Sequence, residues 1–109
     1  MFEAQGKLQE AQTEFEKALT INQQLAELDP KNAGWKLGLA VAHNRVGGVF
    51  EAQGELREAE AEYREFLAIA RRLVEQDPSD ASWQRALEIA QSRVERVLKA
   101  QTPRQKRGT

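Results

Sequence analysis

The sequence predicts an all-α protein: four long helices folded as antiparallel hairpins and stacked as a short α-α superhelix. Three observations carry the prediction. Ala, Glu, Gln, Leu and Arg dominate the 109 residues, and these are strong helix formers. Apolar residues recur three or four apart over long stretches, the spacing of one helix face. The chain also matches itself when displaced by 48 residues: Phe2–Gly6 recurs as Phe50–Gly54, Asp29-Pro30 as Asp77-Pro78, and Trp35 as Trp83, with 24 identities over 54 ungapped positions. A repeat this strong in so short a chain points to a helical array.

The first helix is expected from about Lys7 to Leu28, with Leu8, Ala11, Phe15, Ala18, Leu19, Ile21, Leu25 and Leu28 as its apolar stripe. Asp29-Pro30 ends it, because proline disfavours helix in the residue before it. Asn32 caps a second helix, about Ala33 to Gln53. Its stripe is Trp35, Leu39, Ala42, Val46, Val49 and Phe50, and Gly54 is a suitable left-handed stop. A third helix runs from about Glu55 to Gln76, with Leu56, Ala59, Tyr63, Phe66, Leu67, Ala70, Leu73 and Val74 inward. Asp77-Pro78 stops it, and Asp80 caps a fourth helix, about Ala81 to Ala100, with Trp83, Leu87, Ala90, Val94, Val97 and Leu98 as its stripe. The helical domain is thus expected over 1–101. Residues 102–109 hold Pro103, several charges and no apolar side chain, and read as a basic, disordered tail.

Composition excludes several classes of function. There is no cysteine, hence no disulfide, thiolate metal site or cysteine nucleophile. No apolar run approaches the ~18 residues needed to span a bilayer, and the N-terminus lacks a signal peptide's basic start and apolar stretch. A cytoplasmic protein is expected. The net charge of −1 is unevenly spread: residues 1–30 carry −4, 31–54 carry +2, 55–78 carry −3 and 79–109 carry +4.

The stretch Ala40–Leu67 resembles a tetratricopeptide repeat, the helix–turn–helix unit of about 34 residues. Val46, Gly47 and Phe50 fill the large, small and aromatic places of that family's first helix; Gly54 marks the turn; Ala59 and Tyr63 fill the small and aromatic places of its second. Phe66 stands where alanine is usual, and the earlier copy has the expected Ala18 beside Gly6, Ala11 and Phe15. The closing Asp-Pro is present twice. Both helices are longer than the family's by about two turns, which leaves their buried faces nearly unrotated. Helices one and three then correspond to the family's second helix, and helices two and four to its first.

That resemblance implies a protein–protein interaction module with no chemistry. The first-type helices would line a groove. Helical projection places Leu37, Val41, Asn44, Gly48 and Ala52 on the groove face of helix two, with Arg45 at its edge. On helix four it places Arg85, Ile89, Ser92, Arg96 and Lys99, with Arg93 at the edge. Of these, Val41, Asn44, Arg45, Arg85, Ile89, Ser92, Arg96 and Lys99 are the candidate peptide-binding residues. Their basic character points to an acidic segment or a C-terminal carboxylate as ligand; ordinary solvated charges are the competing reading. Gly47 and Gly48 allow close helix packing, whereas Glu95 and Arg96 at the equivalent places mark helix four as a cap. Phe2, Leu8 and Phe15 on helix one lack a preceding helix, which leaves two explanations open: the sequence is part of a longer repeat array, or a homodimer forms through them, the alternative expectation to a groove-binding module.

His43, the one histidine, reads as a packing residue with one nitrogen hydrogen-bonded. Trp35 and Trp83 read as anchors between hairpins. No glycine-rich phosphate loop, nucleophilic triad or metal motif is present; no enzyme activity, cofactor, metal or membrane contact is expected. The cluster Arg104-Gln105-Lys106-Arg107 is a weak signal for nucleic acid or an anionic membrane, and a solubilising tail is the favoured reading.

Overall fold

The computed structural model describes residues 2–101, with side chains from Gly6 onward. These residues form four helices and no strand: α1 (Phe2–Leu28), α2 (Ala33–Ala52), α3 (Leu56–Gln76) and α4 (Ala81–Gln101). The expected tail at 102–109 and the Phe2 side chain lie outside the described residues. Short connections return each helix along its predecessor, so α1 packs on α2, α2 on α3 and α3 on α4. The molecule is 19 Å through its thinnest dimension, about two helix diameters. No described helix is long and apolar enough to cross a membrane.

Local chemistry sets the boundaries. Asn32 Oδ1 accepts the Trp35 N–H at 3.0 Å. Asp80 Oδ1 accepts the Ser82 and Trp83 N–H groups at 2.9 and 3.1 Å. Both caps satisfy donors that a first helical turn leaves unpaired. Gly54 adopts φ +81°, and the Glu55 N–H returns to the Phe50 carbonyl at 2.9 Å, a Schellman-type closure.

One boundary departs from the sequence reading. Phe2–Gly6 repeats the pentapeptide that closes α2, yet α1 runs straight through Gly6 rather than starting near Lys7. At Gly54 the turn is held by α3 folding back on α2. Among the described residues α1 has no predecessor to fold back on, so the next helical hydrogen bond forms instead; tertiary contact overrides local preference.

The core lies where α3 sits between α2 and α4. Ala40, Ala59, Tyr63, Phe66, Leu73, Ala90, Val94 and Val97 are buried there. Leu73, Val46 and Val97 are fully enclosed, each stabilising the fold by about 1.5–3 kcal/mol relative to exposure. Among the described residues, helix α1 is covered on one side only. Ile21 is 56% exposed, whereas its repeat counterpart Ile69 is 8% exposed; Leu28 is also exposed. These two expected core residues therefore lie outside the core, because the stripe on α1 is wider than the surface α2 offers.

Contacts repeat with the sequence. Arg45 lies over the Phe15 ring and Arg93 over the Tyr63 ring, each 5.9 Å from the centroid. Gln53 donates to Gln12 at 3.0 Å, and Gln101 to Glu60 at 2.9 Å. At one pair of positions the copies differ together. A Cβ on Gly38 would lie 2.8 Å from Asn22 Oδ1; the equivalent positions hold Ala86 and Ala70. One pair sets a larger residue against glycine, the other two alanines.

Candidate functional site

Helices α2 and α4 flank α3 and are tied directly to each other. Near their C-terminal ends, Arg96 Nε donates to Glu51 Oε2 at 2.7 Å and Arg96 Nη2 to Glu51 Oε1 at 2.6 Å. The Tyr63 hydroxyl, from α3, donates to the same Glu51 Oε1 at 2.7 Å. The two-pronged arginine contact is a strong, charge-assisted geometry. The Arg96 bonds hold the Glu51 carboxyl below the usual carboxylate range, against the opposing effect of burial. The Glu51 carboxylate in turn holds the Arg96 guanidinium more firmly charged. Burial first, then the bond to Glu51, pushes the Tyr63 phenol above its ordinary value.

This network changes the meaning of the expected groove cations. Arg96 is engaged by Glu51. Arg45 and Arg93 lie over aromatic rings of the neighbouring helices. Arg85 and Lys99 are exposed. Val41 and Ile89, one repeat apart, are each 37% exposed. Ile89, Ser92 and Arg96 come together with Glu88 and Arg93 around a shallow recess of about 280 Å³. Val41 and Asn44 lie on α2, outside that recess, and the Asn44 Oδ1 is buried without a hydrogen-bond partner, as is the Arg93 Nε. Of the α1 candidates, Leu8 and Phe15 are half-buried.

His43 is buried, with Nδ1 2.7 Å from Glu62 Oε1 on α3. A carboxylate only accepts, so Nδ1 carries the proton and donates. The Glu51–Arg96 link escaped the sequence reading because its partners lie 45 residues apart. The repeat gives no signal for it either, since Gly48 and Lys99 stand where a second copy of the pair would need an arginine and a glutamate.

Comparison with family models, with curated proteins and with solved structures gives no match.

Proposed function

We propose that the protein is a non-catalytic interaction module of tetratricopeptide-like design, holding an extended or helical segment of a protein partner against the α2–α4 face. The observation that carries this reading is the pair Val41 and Ile89: two large apolar side chains left partly exposed at equivalent places on that face. Burying them supplies affinity, and the exposed Arg85 and Lys99 select an acidic segment or a terminal carboxylate. Arg96, at the rim of the recess, fixes the spacing of α2 and α4 through Glu51. Preformed surfaces of this kind bind without ordering their own side chains, which lowers the cost of association.

The test is selection from a displayed random-peptide library. The intact protein should enrich peptides with an apolar anchor beside acidic residues. The double substitution Arg85→Glu, Lys99→Glu should weaken a selected peptide about ten-fold or more, equivalent to roughly 1.4 kcal/mol, without loss of helicity. Absence of enrichment, or binding indifferent to both Ile89→Asp and the charge reversal, sinks the reading.

A further inference from the structure

The uncovered flank of α1 has a template elsewhere in the chain. Helix α3 is its repeat counterpart, and α2 covers the corresponding flank of α3. That interface has three specific elements. Gly47 packs so closely that a Cβ there would lie 2.7 Å from the Tyr63 ring. His43 donates to Glu62 at 2.7 Å. Ile69 is buried, lining one cavity with Lys36 and Leu39 of α2. The α1 equivalents are Phe15, Glu14 and Ile21. Phe15 is half-buried and Ile21 is 56% exposed. Glu14 is exposed, with Lys17 of its own helix 3.9 Å away.

We infer that this flank of α1 is a second docking site, and that its occupant is a basic amphipathic helix from a partner protein, carrying glycine where it crosses Phe15 and a histidine or basic residue facing Glu14. Charge selects this occupant. Residues 1–30 carry −4, and the template interface sets a segment of +2 against one of −3. A second α1 would set −4 against −4. Helix α4 of a second copy has the right net charge but the wrong shape: Gln91 stands in place of His43, and Glu95 in place of Gly47. A glutamate side chain has no room where a single Cβ already meets the ring. The site is separate from the α2–α4 face, and neither depends on the other.

The probe is a labelled synthetic peptide with the sequence of residues 31–54, titrated against the intact protein and followed by fluorescence anisotropy. It should bind saturably. Peptide binding should weaken about ten-fold or more when the peptide carries Gly47→Leu, from overpacking against Phe15. It should weaken comparably when the protein carries Ile21→Glu, a surface change whose unaltered helicity circular dichroism confirms. No saturable binding up to about 1 mM, the weak limit of specific recognition, overturns the inference. So does binding unaffected by Ile21→Glu, which would mean that the peptide exchanges with the protein's own α2. Sedimentation supplies the remaining outcome: a wild-type dimer dissolved by Ile21→Glu would make a second copy the occupant and overturn it equally.

Discussion

The same five residues, Phe-Glu-Ala-Gln-Gly, occur twice, and their glycines have opposite requirements. Gly54 sits at φ +81°, a region that other L-residues enter only at a cost. Gly6 lies within α1, where an added Cβ would meet nothing within 4 Å. Gly54→Ala should therefore destabilise the fold by about 1 kcal/mol. Gly6→Ala should stabilise it by about 0.5–1 kcal/mol, the helix propensity gained. Urea denaturation midpoints would measure both, and changes of the same sign would contradict the assignment. The sequence marks both glycines identically. Gly54 was legible as a stop because a second helical stripe follows in register to fold back. Gly6 was not, because what decides its conformation is whether a preceding helix is there to turn away from.

Between elements, the tightest approach is Gly47 of α2 against Tyr63 of α3. A Cβ would fall 2.7 and 2.8 Å from two ring carbons, and the ring is fully buried and held at its hydroxyl by Glu51. Gly47→Ala gains roughly 1 kcal/mol of helix propensity but overpacks the site at a typical cost of about 1–3 kcal/mol. The net effect should be destabilising. Gly48→Ala is the matched control: its Cβ would lie 3.8 Å from the Tyr63 hydroxyl, an ordinary contact, so propensity alone acts and stability should hold or rise. Thermal melts of the two variants give the comparison; equal shifts would refute it. The Gly-Gly pair was legible in sequence as a place of close packing. Which glycine does the packing was not, since that depends on the rotation of α2 about its axis. The caps at Asn32 and Asp80 were fully legible, because a cap is a contact between near neighbours in the chain.

Across the whole molecule, the Glu51–Arg96 pair joins helices that the sequence separates by a complete hairpin. The lowered pKa of Glu51, set chiefly by Arg96, makes stability depend on pH. A carboxylate depressed in the folded state contributes stability that is fully present above its ordinary pKa of 4.5. That contribution is lost as pH falls through the folded value. Wild-type protein should lose stability below pH 4.5 more steeply than Glu51→Gln does. Glu60, depressed by Gln101 and then Arg64, and Asp80, depressed by Ser82 and then the Trp83 N–H, keep a residual slope in both. Denaturant midpoints across pH 3–7 test this, and parallel curves would exclude Glu51 as a contributor. The hairpin order was legible because it repeats. The Arg96 partnership was not, because it occurs once: its counterpart one repeat earlier is Gly48, and that of Glu51 one repeat later is Lys99.

The exchange of Asn22 and Gly38 for Ala70 and Ala86 has a consequence for how such a chain changes over time. Each pair joined through an Asp-Pro turn has settled its own division of space. A substitution on one member narrows what the other can accept. A single helix copied from one pair into the other would bring half of a matched set. The heritable unit is thus the pair, and shuffling or duplication that keeps pairs whole preserves a fitted seam that recombination within a pair would break.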